Sequence, residues 1–412
     1  MKILHINQSI RGGAGIASYR LHQGLLAQGI DSTVMVGSLT ANENFIVSMP
    51  PVSRFERKIL GRISTWSGLN DLYLLSTFQI PQHPFFQTSD IVNFHNLQGY
   101  FNYLAVPAVT KSKPTIFTLH DMWSFTGHCA YSYECDRWKM GCGKCPHPEV
   151  YPAIQRDSTH LEWNLKNWLY NRSNLTIVTP SRWLSEQARQ SLLNRFDIHH
   201  IPYGIDTQVY KPLDSENCRS VLGISSDKQV LMIGAHDLND FRKGSDLMLQ
   251  ALKGLPDTLK SSCLLLTLGL GGKDLSERVG IKSLSLGYLT SDQLKAMAFS
   301  AADLFIFPTR ADNLPLVLQE SMACGTPMVS FKVGGVPDLV RPGITGYLAN
   351  PEDANDFRNG IIKLLMDQKL RKQLAENCRE IAISEYSLEL QAQRYMQLYH
   401  QVLHSKTKGI KS

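Results

Sequence analysis

The sequence lacks most of the features that mark whole classes of protein. No apolar run approaches the roughly 18 residues that a membrane-spanning helix requires. The greasiest stretches, CLLLTLGLGG and LFIFP, are far shorter. The opening MKILHINQSI passes from a short apolar run straight into polar residues. It has no apolar core of the kind found in secretion signals, so a cytoplasmic location is expected. Charge of one sign is also scarce: 42 basic against 36 acidic residues leave a net +6. That bias is too weak for a typical nucleic-acid binder, though it suits phosphorylated ligands or an anionic membrane surface. There are no internal repeats and no low-complexity tracts. Hydrophobic residues make up 43% and charged residues 19% of the chain, which excludes a disordered or fibrous protein. The 412 residues are enough for two or three domains with sizeable cores. Cysteine is rare except in one place. Cys218, Cys263, Cys324 and Cys378 are scattered and read as buried apolar thiols, whereas the other four crowd between Cys129 and Cys145.

What is present is an alternation of two periodicities. KILHI, TVMVG, DIVNFH, TIFTLH and LTIVTPS are short apolar, β-branched runs, and helix-period stretches such as Ile16 to Gln28 and SEQARQSLLNRF lie among them. QVLMIGA, CLLLTLG, LFIFP and PMVSF repeat the pattern in the second half, with DLMLQALKGL, SDQLKAMAFSA and LPLVLQESMAC as helices. Strands alternating with helices indicate parallel βαβ units, here as two doubly wound sheets. IPYGIDTQVYKP lies between the halves, and its two prolines and glycine suggest a hinge. The expected organisation is an N-terminal domain over residues 1–203, a C-terminal domain over 204–386 and a terminal helix over 387–412. That helix shows Leu390, Tyr395, Leu398, Tyr399 and Val402 on one face and could pack back on the first domain. A two-lobed α/β protein places its ligand at the carboxyl ends of the strands, in a cleft.

Three motifs stand where such a ligand would bind. IRGGAGIAS follows the first strand: Gly12, Gly13 and Gly15 permit a tight turn, and the helix N-terminus beyond offers N–H groups to an anion. Ser18 replaces the third glycine of a dinucleotide fingerprint, and the second strand ends in Val36-Gly37-Ser38 without the carboxylate that binds a nicotinamide ribose. FRKG places Arg242 and Lys243 at a strand-to-helix turn, where an Arg fork and a Lys point charge can clamp a diphosphate; solvated surface is the ordinary alternative. TRADNLPLVLQESMACGTP puts Asp312 at the mouth of a helix beginning near Leu314, with Asn313 as its cap and free N–H groups at Leu314 and Leu316. Glu320 lies about two turns in, flanked by apolar residues. An unpaired carboxylate there is costly, so it should have a defined partner such as sugar hydroxyls or a salt bridge. His120 and Asp121 end TIFTLH, and His95 ends DIVNFH; each is either a ligand contact or a satisfied loop residue.

Taken together, HINQSIRGGAGIAS, TPSRWL, IPYGIDTQVYKP, RKG, LGYLTSDQL, DLFIFPTRADNLPLVLQESMACGTPMVSFKVGGVPDLV and GITGYLANPED resemble the retaining glycosyltransferases of family 4. The resemblance runs from Met1 to about Tyr399. It implies the GT-B fold, an α/β architecture of two Rossmann-like domains facing across a cleft. HDMWSFTGHCAYSYECDRWKMGCGKCP looks like a subgroup acting in bacterial surface-polysaccharide assembly. The implied reaction moves a sugar from a nucleotide-diphosphate donor, with UDP, and among its sugars UDP-glucose, in first place by family frequency, to a saccharide acceptor, expected to be lipid-linked. Carried over residue by residue, Arg242 and Lys243 match the diphosphate clamp, and Asp312 the carboxylate facing the donor sugar. Glu320 matches the residue holding the ribose. Asn313, Leu314, Pro315 and Leu316 lie in the donor-binding stretch between them. Gly287, Tyr288 and Leu289 match the loop at the base, Gly12 and Gly13 the loop facing phosphates and acceptor, and His120 a histidine contacting the sugar. His120, Asp312, Arg242 and Lys243 are thus the expected catalytic set. Two departures stand out. Asp312 replaces the more usual Glu, and Asp237, beside His236, stands where many relatives have a phosphate-binding Arg. The phosphate charge then rests on Arg242 and Lys243, with His236 as a candidate helper. No acidic triplet of the metal-binding kind occurs at a strand end, so no cofactor is expected for catalysis. A nucleotide-sugar epimerase or hydrolase and a non-catalytic nucleotide-sugar-binding regulator are the rival readings; turnover and products separate them.

Two features fall outside that set. Cys129, Cys135, Cys142 and Cys145, with His128 and His147 nearby, have a spacing that fits a structural zinc, unliganded thiols or disulfides, inserted in the first domain and shaping its acceptor side. Ser53 to Leu69 mixes Arg54, Arg57, Lys58 and Arg62 with Phe55, Ile59, Leu60, Ile63 and Trp66. It reads either as an ordinary surface helix or as one lying on an anionic membrane, which would make the protein peripheral on the inner face.

Overall fold

In the computed structural model, which describes residues 1–37, 45–69, 71–271 and 275–409, the chain folds as two units. One comprises Met1–Gly204 with Glu389–Ser412, the other Ile205–Leu388. Ser38, expected to close the second strand, lies outside the described residues.

The first unit is built on seven strands: β1 (Lys2–Asn7), β2 (Asp31–Val36), β3 (Ile46–Ser48), β4 (Ile91–Phe94), β5 (Thr115–Thr118), β6 (Thr176–Thr179) and β7 (Asp197–His200). Their order is β3-β2-β1-β4-β5-β6-β7, with every neighbouring pair parallel. β4 and β5 are buried on both faces, as continuous apolar runs in a covered parallel sheet must be. Because side chains alternate along a strand, Leu4, Ile6, Val92, Phe94 and Phe117 enter one core, while Ile3, Ile91 and Ile116 enter the other.

The C-terminal helix, Leu388–Gly409, supplies that second core with Ala392, Tyr395, Leu398 and Tyr399. Two of its tyrosines are fixed by hydrogen bonds to the sheet: Tyr395 Oη lies 3.0 Å from Thr118 Oγ1, and Asn93 Nδ2 donates to Tyr399 Oη at 3.2 Å. A bulky apolar ring with one satisfied hydroxyl is what such a buried position favours. The chain leaves the first unit at Gly204 and re-enters it at Glu389. These two crossings lie side by side, because Ile205 N donates to Tyr386 O (2.8 Å) and Leu388 N to Ile205 O (3.0 Å).

The second unit carries β8 (Gln229–Asp237), β9 (Cys263–Leu270), β10 (Lys282–Ser285), β11 (Leu304–Phe307), β12 (Met328–Phe331) and β13 (Gly346–Ala349). They form an all-parallel sheet in the order β10-β9-β8-β11-β12-β13. The strands that sequence patterning missed, β3, β7, β10 and β13, are the four edges of the two sheets. They are short and only partly buried, so they carry little apolar signal. Among the described residues, no helix is long and apolar enough to cross a membrane.

Candidate active site

Both sheets reverse their strand order at one point, between β1 and β4 in the first unit and between β8 and β11 in the second. Loops leaving adjacent strands diverge there, which opens a crevice at the carboxyl ends. Gly12 and Gly13 follow β1, Arg242 and Lys243 follow β8, and Asp312 follows β11, whereas His120 follows β5, Gly287–Leu289 follow the edge strand β10 and Glu320 lies within a helix.

In the second unit, the turn after β8 contains Phe241–Lys243, and Gly244 starts the helix Ser245–Lys253. Gly244 has φ +67°, and a Cβ there would lie 1.9 Å from Pro308 O, in the loop after β11. Only glycine lets the two loops meet so closely. They are then stitched together: Arg310 N donates to Arg242 O at 2.8 Å, and Thr309 Oγ1 to the same oxygen at 3.1 Å. The result is a charge cluster. Lys243 Nζ donates to Asp312 Oδ2 at 2.7 Å, and Arg242 Nη1 to the same oxygen at 3.0 Å and to Ala311 O at 3.0 Å. Burial opposes ionisation of Asp312, but the charges and hydrogen bonds of Lys243 and Arg242 outweigh it and hold its pKa below the ordinary carboxylate value. Lys243 also lies 5.1 Å from the centroid of the Phe307 ring. Two cations thus converge on one carboxylate oxygen, and Arg242 also pairs with Asp240 Oδ2 at 3.5 Å in the same strand-to-helix turn.

The backbone of Asp312 is held as firmly as its side chain. Gly335 N donates to Asp312 O at 3.0 Å, and a Cβ on Gly334 would lie 2.0 Å from that oxygen. The helix beyond is Leu316–Ala323, and its cap residue is Pro315, without a side-chain cap. The expected cap at Asn313 is therefore corrected: the extended Pro315 occupies the cap position, and the helix starts two residues later than Leu314. Asn313, Leu314 and Pro315 are buried in the approach, Leu316 is half-buried, and Glu320 is buried as the fifth helical residue.

Gly287 follows β10 with φ +65°, and its carbonyl accepts from Gly269 N at 2.8 Å, which ties the Gly287–Leu289 segment to the end of β9. Leu289 is half-buried, and Tyr288 is half-exposed with its ring edge-on to His236, centroids 5.2 Å apart. Asp237 accepts from Asn239 N at 2.8 Å, the role of a turn-forming carboxylate.

In the first unit, the helix runs over Gly12–Ala27 with Arg11 at its cap, so Gly12, Gly13 and Gly15 form its first turn, not a turn ahead of a helix starting near Ile16 as expected. A Cβ on Gly15 would meet Ser9 O at 2.7 Å, so Gly15 is required by the fold. Gly12 needs glycine for its φ of +73°, but Cβ atoms on Gly12 and Gly13 would meet nothing within 4 Å. Ser18, at the third glycine position, accepts from Asn7 Nδ2 at 2.6 Å.

His120 does not stand alone. Its Nδ1 lies 2.6 Å from Tyr203 Oη and its Nε2 3.0 Å from His95 Nδ1; His95 Nε2 is in turn 3.0 Å from His5 Nδ1. Burial lowers the pKa of His5 and His120 to about 3, with the charge of His22 adding to the effect on His5. Burial, with the neighbouring His120 and His5, lowers that of His95 as well. The three imidazoles are therefore neutral and each fixes its neighbour's tautomer. His5 and Tyr203 were absent from the expected site. The signal was available, since KILHI, DIVNFH and TIFTLH all carry a histidine at or near a strand end. Asp121 accepts from Trp123 N at 2.9 Å and turns the chain after β5.

The cysteine insertion is anchored by Lys166, a buried cation that donates to Trp123 O (2.7 Å) and Thr126 O (3.0 Å) with its Nζ 3.8 Å from the Trp123 ring centroid. Cys129, Cys135, Cys142 and Cys145 are free thiols. Gly127 N donates to Cys142 Sγ at 3.2 Å, and His128 Nε2 lies 3.2 Å from Cys145 Sγ. Among the described residues, no group of three His, Cys, Asp or Glu is arranged to hold a metal ion. Zinc was one of three readings of the four cysteines, beside unliganded thiols and disulfides.

Two all-parallel sheets, each with a switch point, one carrying Arg242 and Lys243 after β8 and the other Gly12 and Gly13 after β1, define a doubly wound α/β protein of two Rossmann-like units. Comparison with known proteins narrows this. Residues 11–209 match the family model "Glycosyltransferase Family 4", and residues 214–381 match "Glycosyl transferases group 1". The chain belongs to the family 4 glycosyltransferases and has the GT-B fold. It is 27% identical over 357 residues to the putative colanic acid biosynthesis glycosyl transferase WcaC of Escherichia coli, covering 80% of this chain and 83% of that one. Among solved structures, sucrose-phosphate synthase from Thermosynechococcus elongatus superposes with a TM-score of 0.72 at 18% identity, covering 98% of this chain and 100% of that chain. HepE of Anabaena, solved with UDP-glucose, gives 0.67 at 19% identity, covering 97% of this chain and 100% of that chain.

Proposed function

We propose that this glycosyltransferase moves a sugar, with retention of configuration, from a UDP-sugar to a lipid-linked saccharide acceptor in the assembly of a surface polysaccharide. UDP-glucose is the favoured donor. The observation that carries this reading is the convergence of Arg242 and Lys243 on Asp312 at the switch point of the second unit. The two cations are held in place before any ligand arrives, so they stabilise charge developing on a leaving diphosphate without reorganising. They fill the part that a divalent metal takes elsewhere, and no metal is assigned to the reaction. When the diphosphate takes over the cations, the Asp312 carboxylate is released towards the sugar hydroxyls, while Glu320 holds the ribose. The C1–O bond to the diphosphate breaks, the acceptor oxygen bonds to C1 from the same face, and its proton passes to the departing diphosphate oxygen. From the first unit, Gly12 and Gly13 are assigned to phosphates and acceptor, and His120, kept neutral, to a sugar hydroxyl. The kinship with the enzyme named for colanic acid biosynthesis supports the polysaccharide setting, and the UDP-glucose complex of HepE supports the donor class.

The deciding experiment is thermal stabilisation by UDP, GDP, ADP and their sugar conjugates, with Lys243→Ala and Glu320→Ala alongside the wild type. A ligand that binds only the native state raises the melting temperature in proportion to the logarithm of its concentration over its Kd. UDP and UDP-glucose should stabilise the wild type and neither variant. Equal stabilisation of all three proteins would remove the second-unit site from the proposal.

A further inference from the structure

The helical segment over residues 54–67 reverses the usual arrangement of a surface helix. Its inward side holds two buried polar residues, Glu56 and Ser64, with the half-buried Leu60 between them. Glu56 is buried and accepts from Ser53 N (2.8 Å) and Ser76 N (2.7 Å), while Ser64 is buried and donates to Leu69 O. The segment's end is pinned as well: Ser158 Oγ donates to Ser67 O at 2.5 Å, and a Cβ on Gly68 would lie 2.2 Å from Arg156 O. Its outward side carries Phe55, Ile59, Ile63 and Trp66, which are 57%, 50%, 55% and 71% exposed. Steps of four, four and three residues put these side chains in one stripe. Lys58 and Arg62, four apart, border the stripe, with Arg54 and Arg57 beyond; all four cations are exposed. The one acidic residue in the segment, Glu56, is the one turned inward. Globular helices bury their apolar stripe and expose their charges. Here the core has taken the polar face and left the apolar one to solvent.

We infer that this helix docks on an anionic lipid bilayer. Four large apolar side chains, among them a Trp, can enter the interface while flanking Lys and Arg stems reach the phosphates. Charge decides against a second copy of the chain as the occupant. A symmetric pairing of this face would set two rows of cations against each other, a like-charge juxtaposition that disfavours the contact. The inference stands on the helix alone and does not depend on the glycosyltransferase reaction.

The test is co-sedimentation of the full chain with vesicles of phosphatidylcholine, alone or mixed with phosphatidylglycerol. The wild type should pellet with the mixed vesicles, less so as salt rises, and stay in solution with the neutral ones. Ile59→Asp with Ile63→Asp, and separately Arg57→Glu with Lys58→Glu, should each weaken that binding about tenfold or more. All four positions are exposed, so the far-UV spectrum and melting temperature should match the wild type. Three results would overturn the inference: no binding to the mixed vesicles, equal binding to both kinds, or wild-type binding by both double variants. A dimer abolished by Ile59→Asp with Ile63→Asp, in a protein that binds no vesicles, would assign the face to a second copy instead.

Discussion

Lys243 Nζ and Asp312 Oδ2 lie 2.7 Å apart, and the same oxygen takes Arg242 at 3.0 Å. The carboxylate occupies the cations that the proposed reaction needs for a diphosphate. It therefore organises the site and competes with the ligand.

That dual role gives Asp312→Asn opposite effects on binding and turnover. With the negative charge removed, UDP should bind several-fold more tightly by calorimetry, while sugar transfer falls. The ligand-free protein should lose about 1.5–3 kcal/mol of stability, the worth of hydrogen bonds to a charged group. The sign of the pH dependence follows from the lowered pKa of Asp312. Its stabilisation is present above the unfolded carboxylate value and is lost as pH falls through the folded one. Wild type and variant should thus converge in urea-unfolding free energy only in that acidic range. Removing Lys243 should cost about 10²–10³-fold in kcat, as expected when one preorganised charge-stabilising group is lost.

The histidine row gives a second pH dependence at milder acidity. Burial holds His5 and His120 at about 3 in the folded chain, against the ordinary histidine value of 6.5 when exposed. Between those limits the unfolded state binds more protons, so stability falls as pH drops below 6.5. Each such histidine contributes a slope of about 1.4 kcal/mol per pH unit well below 6.5. Urea-unfolding free energies measured from pH 7 to pH 5 should show this decline, and His5→Phe should flatten it. An unchanged slope in the variant would mean that His5 is not held neutral by burial.

Two glycine substitutions separate fold from ligand. Gly244→Ala drives a Cβ to 1.9 Å from Pro308 O at φ +67°. It should cost of order 1–3 kcal/mol and weaken UDP binding with it. Gly13→Ala places its Cβ in open space. The melting temperature should stay put while transfer activity drops, because only a bound ligand would meet the new methyl. Kinetics and a thermal melt on each variant decide the matter.

Burial raises the pKa of Cys129 to about 12 and of Cys142 to about 11. The thiolate is the reactive form, so both should alkylate slowly with iodoacetamide at pH 8 in the native protein and quickly once it unfolds. Mass spectrometry of the labelled peptides reads this directly. Metal analysis of the same preparation should find less than half an equivalent of zinc; a full equivalent would show that the insertion closes around the ion.

Much of this was legible in the chain itself. DIVNFH, TIFTLH, LFIFP and PMVSF could be placed as strands because a covered parallel strand must be apolar on both faces, and such runs are unmistakable. Gly12, Gly13 and Gly15 could be marked from their spacing, whereas the need for glycine at 244 and 334 shows only when Pro308 O and Asp312 O are seen beside them. Less was visible at the margins. β7, DIHH, is half-exposed at an edge and has no apolar pattern to find. The start of the helix at Leu316 depends on where Pro315 leaves its extended conformation, which Asn313 and its neighbours do not signal.

The sequence by itself determined the two βαβ halves, the stretch where one passes into the other, and the residue types on the loops after the strands, because local periodicity and turn chemistry act over a few neighbours. Only the tertiary structure decided which of those residues meet. Arg242 and Asp312 are seventy positions apart, and His5, His95 and His120 lie on or just beyond three different strands. The parallel register brings them within hydrogen-bonding distance. Tertiary packing likewise chose which side of the 54–67 helix to bury. Composition alone favoured the apolar side, but Ser53 and Ser76 offered N–H groups to Glu56, so the carboxylate went in and the apolar stripe was left facing solvent.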